Sequence, residues 1–258
     1  MKTDFPFHKA IVIIALFFLS KSWAQTTANR RDTVYLLKAD RVFDGEQLHE
    51  GWQVAVRNNR IEAAGAIEKN YPDAIVINMK GCTLLPGLIE GHSHLFLHPY
   101  NETSWDDQVL KESDAERVAR AVVHAQKTLF AGFTTVRDLG TEGMGYEDAG
   151  LKQAIEKGVI PGPRMLVATR AIVATGSYGP KVLKDEITVL KGAAEADGYD
   201  ALIKEVRTQI GKGADVVKLY ADYRWGDNDE TEPTFTLDEL KAAVEVAHSS
   251  GRIVAVHA

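Results

Sequence analysis

From residue 81 onward, the sequence alternates between short apolar runs typical of buried strands and longer segments with helical periodicity. Five strand-like runs are present, at residues 83–88, 134–136, 165–168, 216–219 and 253–256. Capping-box patterns at residues 113–116 and 236–239 open two of four predicted helices, and the other two lie near 149–157 and 199–210. Strands that alternate with helices predict a parallel sheet covered by helices, because a helical crossover is the usual link between parallel strands.

Two parallel architectures compete for this pattern. A doubly wound sheet usually carries a glycine-rich phosphate-binding turn after its first strand, and this sequence has none there. A (β/α)8 barrel instead places its functional residues at the carboxyl ends of several strands, which is where the polar residues described below occur. We therefore predict an α/β fold of the TIM-barrel type that is incomplete in this chain, with about five of the eight strands of a barrel present.

The segment before the barrel has a different rhythm. Residues 33–80 contain short β-like runs separated by turn-rich pieces, which predicts a small antiparallel β unit. The domain prediction is therefore a signal peptide at 1–24, a polar leader at 25–32, a β segment at 33–80 and a partial barrel at 81–258.

The first 24 residues have the pattern of a secretory signal peptide. Lys2 and Lys9 precede an apolar run at 10–19, and Ser22 and Ala24 supply small residues at a cleavage site. The run is too short to cross about 30 Å of hydrocarbon as a helix, although an uncleaved anchor is the alternative interpretation. We expect an exported protein, periplasmic or secreted, without a membrane span after cleavage.

Composition excludes some classes of partner. The formal net charge of the 258 residues is −6 and no dense Lys/Arg run occurs, so we predict no nucleic-acid binding. Cys82 is the single cysteine, so no disulfide can form within the chain and stability must come from a core. Because Cys82 lies in an apolar run, we expect it to be a small buried side chain.

Two histidines one residue apart are the strongest chemical signal. His92 and His94 end the first strand-like run of the predicted barrel. In a strand, residues i and i+2 point to the same face, so both imidazoles can reach one metal ion. The alternative is a structural pair of histidines at a strand end.

Lys218 and His257 occupy comparable positions on later strands. Lys218 interrupts the apolar run 216–219, and His257 follows the run 253–256. A buried lysine is costly unless it is neutralised or paired, and reaction of its amine with carbon dioxide would give an anionic carbamate able to bridge two cations. The alternatives are a lysine that extends to solvent and a histidine that packs in the core.

Other candidates carry weaker signals. Asp138 ends the second strand and has two interpretations, either a ligand contact or a brace for a loop. Tyr220 and Arg224 follow Lys218 and are candidates to meet a substrate carboxylate, although a surface position is the alternative for Arg224. The glycine-containing segment 174–180 has the character of an active-site loop, or of an ordinary turn between strand and helix.

Taken together, these segments resemble the amidohydrolase superfamily, in its branch of imidazolonepropionase-like and Xaa-Pro dipeptidase-like enzymes. The matching segments are 85–94, 132–138, 162–164, 213–218 and 254–257, and residues 33–80 resemble the N-terminal β-sandwich segment of that family. The resemblance implies two divalent metal ions, with zinc expected, held by His92, His94, His257 and a carboxylated Lys218. It also implies hydrolysis of an amide or cyclic-amide bond in a small molecule or dipeptide.

The sequence departs from the family pattern in one respect. That pattern includes a histidine at the end of strand six and an aspartate, the proton carrier, at the end of strand eight, and the sequence stops at Ala258 before either. We expect an N-terminal fragment with impaired activity, and the alternative is an inactive metal-binding or non-functional fragment. The substrate and the oligomeric state stay open, and histidine and carbamate ligands suit Zn, Mn, Fe or Co.

Overall fold

A computed structural model describes residues 33–181, 184 and 186–258, so the predicted signal peptide and polar leader lie outside the described residues. The chain divides into two compact units, with the boundary between Pro86 and Gly87. Within these described ranges, no helix has the length and apolar character needed to cross a bilayer.

The first unit is one five-stranded sheet organised around its first strand. Its strands are β1 (Val34–Phe43), β2 (Leu48–Glu50), β3 (Gln53–Arg57), β4 (Arg60–Gly65) and β5 (Ile75–Leu84). β2 and β3 pair antiparallel with successive parts of β1, and β4 pairs antiparallel with β3. β5 runs parallel to β1, so the prediction of a purely antiparallel unit is wrong there. The connection 66–74 is long enough to return the chain across the sheet before β5 begins.

The apolar run at 83–88 does not form one strand. It is divided between the end of β5 and the start of β6 (Leu88–Ser93), with Pro86 between them. Proline donates no ladder hydrogen bond and so interrupts the pairing. Cys82 lies on β5 and is exposed, which makes the prediction of a buried cysteine wrong. The reason is that β5 pairs with β1 alone among the described strands and leaves most of its side chains exposed.

The second unit contains two parallel sheets and a small hairpin. The first sheet holds β6, β7 (Phe133–Asp138) and β8 (Arg164–Val167). The second has the order β10-β9-β11-β14, built from β9 (Ile172–Val173), β10 (Ala194–Glu195), β11 (Val216–Tyr220) and β14 (Ile253–His257). The hairpin pairs β12 (Asp222–Arg224) with β13 (Thr231–Pro233). All strands within the two larger sheets run parallel, as predicted, and the described strands do not close a barrel.

One aspartate links the two parallel sheets. The Asp215 amide donates to the Val167 carbonyl over 2.8 Å, and the Asp215 carboxylate accepts from the Val167 amide over 2.9 Å. Lys152 donates to the same carboxylate over 2.8 Å. These bonds hold the end of β8 beside the start of β11.

Helices connect the parallel strands. They are α1 (Trp105–Leu110), α2 (Asp114–Phe130), α3 (Glu147–Glu156), α4 (Gly198–Gly211) and α5 (Leu237–Ser249). The last four match the sequence predictions. As expected at a helix start, the side chains of Ser113 and Thr236 accept hydrogen bonds from the backbone amides of Glu116 and Glu239. Helix α1 was not predicted, because six residues are too few to establish a helical period.

Each parallel sheet has its own hydrophobic core. Beneath α2 and α3, the buried side chains include Phe96, Ala121, Val136 and Val167. Beneath α4 and α5, they include Leu202, Val206, Leu219 and Ala243. Burial of these faces holds the carboxyl ends of the strands in place, and those ends carry the predicted site residues.

Gly87 immediately precedes β6 and packs against β7. A Cβ at Gly87 would lie 2.0 Å from Thr134 Oγ1 and 2.7 Å from Thr134 Cβ, so rotation of the threonine side chain cannot relieve the overlap. We expect Gly87→Ala to lower the free energy of unfolding by about 1–3 kcal/mol.

Gly211→Ala is the matched control, because a Cβ at Gly211 meets no atom within 4 Å. That variant should be neutral or up to about 1 kcal/mol more stable, since alanine is the better helix former. Urea unfolding followed by circular dichroism measures both variants, and equal stabilities for the two would contradict the packing argument.

Candidate functional site

The histidine pair lies at the end of β6. His92 is in the strand and His94 follows it, with ring centroids 5.3 Å apart and ring planes at 56°. His94 Nδ1 lies 2.9 Å from the Gly140 carbonyl oxygen. Because a carbonyl only accepts, Nδ1 carries the proton and the lone pair of Nε2 is left for a ligand.

Lys218 occupies the middle of a strand in which every residue is buried. Its side chain is 2% exposed and forms no hydrogen bond or ion pair with any described residue. Nζ lies 5.2 Å from the centroid of the Tyr220 ring. Burial lowers the pKa of Lys218 and the positive charge of Arg137 lowers it further, while Glu142 acts in the opposite direction. The environment therefore makes the neutral, nucleophilic amine more accessible than it is in a solvent-exposed lysine.

His257 ends β14, directly opposite Tyr220 in the register between β11 and β14. The two rings stack, with centroids 4.8 Å apart and an interplanar angle of 17°. The stack fixes the plane of an imidazole that is otherwise exposed to solvent.

The four predicted metal-binding residues share one electrostatic environment. Burial lowers the pKa of His92, and the charges of Lys218, His94 and His257 each lower it further. Three strands, β6, β11 and β14, thus direct basic groups toward a common region of the second unit.

This donor set fits a divalent metal only if Lys218 takes part. Within the described ranges, no three side chains of His, Cys, Asp or Glu converge on one point. The imidazoles supply neutral nitrogen donors, and a carbamate on Lys218 would add anionic oxygens to an otherwise basic cluster. Nitrogen and oxygen donors of this kind suit zinc and similar divalent metals, so the residues present fit the group that the sequence predicts.

Asp138 braces the loop that follows His94. The carboxylate is fully buried, with Oδ2 accepting from the Leu95 amide over 3.0 Å and Oδ1 from the Gly140 amide over 3.3 Å. Burial raises the pKa of Asp138 well above its usual value, and the charge of Asp148 raises it further. Of the two interpretations made from the sequence, the brace is the interaction present here.

Tyr220 and Arg224 lie in different environments. Tyr220 is buried and packs between Lys218 and His257. Arg224 is on β12, where its largely exposed guanidinium lies 3.6 Å from Asp229. The structure therefore brings Tyr220, but not Arg224, into the buried cluster.

Glu142 and Tyr178 belong to the site and were not singled out as site residues from the sequence. Glu142 is 2% exposed, and its Oε2 accepts from Trp105 Nε1 over 3.0 Å and from the Tyr178 hydroxyl over 2.7 Å. The segment 174–180, which the sequence marks as an active-site loop or an ordinary turn, brings Tyr178 to 5.1 Å from Tyr220, measured between ring centroids. The glycines of that segment were the only feature of the sequence that pointed to an active-site loop there.

Arg137 is a second residue that sequence reasoning did not assign to the site. Its Nε donates to the Gly91 carbonyl over 2.7 Å, which ties β7 to β6 just before the histidine pair. Its charge also contributes to the lowered pKa values of His92 and Lys218.

A groove of about 700 Å³ opens beside the histidine pair. Its lining includes His92, His94, His98, Tyr100 and His124. Lys218 and His257 do not line it, so the groove adjoins one side of the candidate metal centre.

Comparison with known proteins identifies the class to which this fold and site correspond. Residues 83–258 match the family model described as the Amidohydrolase family, and the chain belongs to that family. The resemblance seen in the sequence is thereby confirmed.

Individual relatives agree with this assignment. The chain is 28% identical over 236 residues to ochratoxinase from Aspergillus niger, covering 83% of this chain and 47% of that protein. Among solved structures, it is similar to a prolidase complexed with N-methylphosphonate-L-proline (26% identity, TM-score 0.73) and to a Xaa-Pro dipeptidase with bound methionine in the active site (26%, 0.72). Each structural match covers 87% of this chain and 56% of the other.

The chain spans about half the length of the curated relatives it matches. Its structural neighbours imply a TIM-barrel-like hydrolase fold.

A second buried aspartate lies behind Asp138. Asp148 accepts hydrogen bonds from the amides of Thr169, over 2.7 Å, and Ala149, over 2.8 Å. Burial raises the pKa of Asp148 from 3.8 to about 7. The folded protein therefore keeps a proton that the unfolded chain has already released.

This difference predicts a pH-dependent stability. The stabilisation from neutral Asp148 is fully present below about pH 4 and is lost as the pH rises through about 7, because ionisation then charges a buried group. We expect the free energy of unfolding to fall by on the order of 2 kcal/mol between about pH 5 and about pH 8.

Urea unfolding at several pH values measures this slope. Asp148→Asn should make the slope shallower, whatever the variant does to absolute stability, because the amide does not titrate, while the raised pKa of Asp138 leaves a residual slope of the same sign. Asp238→Asn, at a site whose side chain is 94% exposed, should keep the wild-type slope. The same slope in wild type and Asp148→Asn would show that another group is responsible.

Proposed function

We propose that the protein is a metal-dependent hydrolase that cleaves a carbon–nitrogen bond of an amide, a dipeptide or a cyclic amide. The observation that carries this proposal is the placement of the predicted ligands in an amidohydrolase chain: the ring centroids of His92 and His94 lie 5.3 Å apart at the end of β6, and Lys218 and His257 both contact the Tyr220 ring. Functional residues collect at the carboxyl ends of strands in folds of this type.

In this proposal, His92, His94, His257 and a carboxylated Lys218 would hold two divalent ions. Zinc is the expected metal. Carboxylation requires the neutral Nζ to form a bond with the carbon of carbon dioxide and to release a proton, which leaves a carbamate anion. Burial of Lys218 and the nearby Arg137 charge both favour the neutral amine that this reaction needs.

When bound, the metal ions would supply a water of lowered pKa and polarise the carbonyl of the substrate. The protein residues would hold this arrangement. The Gly140 carbonyl fixes the proton of His94 on Nδ1, and Asp138 anchors the backbone on both sides of that contact. The Tyr220 ring fixes the plane of His257.

The names of the relatives support a small acyl-amino-acid or dipeptide substrate. Ochratoxinase, prolidase and Xaa-Pro dipeptidase are all among the similar proteins. Because the chain spans about half the length of the curated relatives, the activity proposed here is that of the whole protein. The sequence pattern of residues 1–24 supports the further proposal that the protein is exported.

Metal content provides a test that does not depend on turnover. Lys218→Met should reduce bound zinc at least tenfold, on the order expected when a ligand is lost, as measured by mass spectrometry after dialysis against zinc. Lys204→Met changes an exposed lysine on α4 and should leave zinc binding unchanged.

Two further measurements complete this test. Growth or incubation with ¹³C-bicarbonate should give a carbamate carbon signal in wild type and none in Lys218→Met. Zinc-dependent hydrolysis of Xaa-Pro dipeptides, N-acyl amino acids or cyclic amides should be lost in His92→Ala. Equal zinc content in wild type and Lys218→Met, together with no hydrolysis of any member of the panel, would refute the proposed function.

A further inference from the structure

Glu142 is a buried carboxylate of which only one oxygen is engaged. Oε2 accepts the hydrogen bonds from Trp105 and Tyr178, whereas Oε1 accepts none from the described residues. Oε1 is not one of the fully buried side-chain atoms that lack a partner among the described residues. It is therefore accessible, and a donor brought by a ligand can reach it.

The free oxygen lies beside the candidate metal centre. Glu142 Oε1 and His94 Cε1 are each 3.8 Å from the position that a Cβ on Gly140 would take, and the Cβ of Ala171 is 3.7 Å from it. Gly140 leaves this space open. A ligand group bound to Oε1 would therefore be a near neighbour of the His94 ring.

Three tyrosines, which we call the aromatic wall, surround the same carboxylate. Tyr178 lies 5.1 Å from both Tyr220 and Tyr223, and the last two are 5.8 Å apart, all between ring centroids. Burial raises the pKa of each tyrosine, and the charge of Glu142 raises it further. The three rings and the carboxylate thus form one cluster.

The wall already accepts a cation at one face. Lys181 Nζ lies 5.2 Å from the centroid of the Tyr223 ring. This distance is within the range of an attractive cation–π contact. Aromatic rings that stabilise a positive charge lie beside a carboxylate with one oxygen unbonded. This combination favours a cationic ligand.

The protein's own cations do not occupy Glu142 Oε1. The buried Arg117 guanidinium is used by backbone carbonyls, those of Phe96, Thr141 and Glu142 itself. Lys218 would become an anion on carbamate formation. The carboxylate would then lose the favourable interaction with the Lys218 cation, which leaves the substrate as a source of positive charge.

We propose that Glu142 and the aromatic wall bind the free α-ammonium group of a dipeptide substrate. This inference rests on the proposed function and deepens it, since it selects free dipeptides over N-acylated substrates. In a dipeptide, one carbon atom separates the α-ammonium nitrogen from the carbonyl to be cleaved. The ammonium site must therefore adjoin the metal centre, and Glu142 meets that requirement through its position beside His94.

The experiment uses two probes that share the glycyl-L-proline unit, glycyl-L-proline itself and N-acetylglycyl-L-proline, in which an acetyl group removes the positive charge of the amine. Binding to the ¹⁵N-labelled protein is followed through the indole N–H signal of Trp105, because that N–H donates to Glu142. Trp105→Phe assigns the signal among the four tryptophans of the chain. We expect glycyl-L-proline to shift this signal and to bind about 10- to 100-fold more tightly than the acetylated probe.

Glu142→Gln tests the charge while preserving the shape. Glutamine can still accept from Trp105 and Tyr178 through its oxygen, but it presents an NH₂ donor where Oε1 was. The preference for the free amine should fall to within about twofold, with binding of the acetylated probe unchanged. Glu245→Gln makes the same change in net charge at an exposed position on α5 and should retain the full preference.

Tyr178→Phe separates positioning from charge recognition. It removes one hydrogen bond to Oε2 and leaves Oε1 in place, so the free-amine preference should persist. If Glu142→Gln does not fold, the wild-type titration still decides, because a Trp105 signal that responds equally to both probes overturns the inference.

The remaining outcomes are equally specific. Retention of the full preference in Glu142→Gln overturns the ammonium site, and so does failure of glycyl-L-proline to bind. Zinc-dependent hydrolysis of the acetylated probe in either case would leave the proposed function standing. Loss of zinc binding and of all hydrolysis would instead refute the proposed function itself.

Discussion

The burial of Lys218 in a fully buried strand is the constraint on which the rest of the site depends. An amine in this position has no partner among the described residues, so its charge must be removed or compensated. Arg137 makes the charged form still less favourable, and the imidazoles of His92 and His257 lie in the same electrostatic environment. A carbamate resolves this problem by turning a costly cation into an anion that basic neighbours and metal ions stabilise.

The end of β7 and the loop after it supply two buried carboxylates that shape the site, and their surroundings give them different roles. Asp138 uses both oxygens on backbone amides and holds the segment that follows His94. Glu142 uses one oxygen on Trp105 and Tyr178 and leaves the other toward the open space at Gly140. Four residues apart in sequence, one carboxylate stabilises the scaffold and the other is available to a ligand.

Much of the fold was predictable because local patterns agree with the tertiary structure. Periodicity and capping residues predicted four helices, and the apolar runs predicted all the described parallel strands except the short β9 and β10. The errors have local causes. Pro86 divides a run that hydrophobicity alone joins, β5 crosses the first sheet to pair in parallel, and Cys82 lies on an exposed strand. Pairing partners and burial depend on distant segments, which a short window of sequence does not contain.

The sequence by itself determined which chemistry is available: a histidine pair, a lysine within an apolar strand and a histidine at a strand end, in segments characteristic of the amidohydrolase family. Only the tertiary structure decided that Glu142, Tyr178 and Arg137 join them, while Arg224 lies at the surface. In a strand, successive side chains point to opposite faces of the sheet, so the sequence pattern predicts which face each side chain occupies. A loop residue has no such period, so its burial and its partners are decided by the packing of elements remote in sequence.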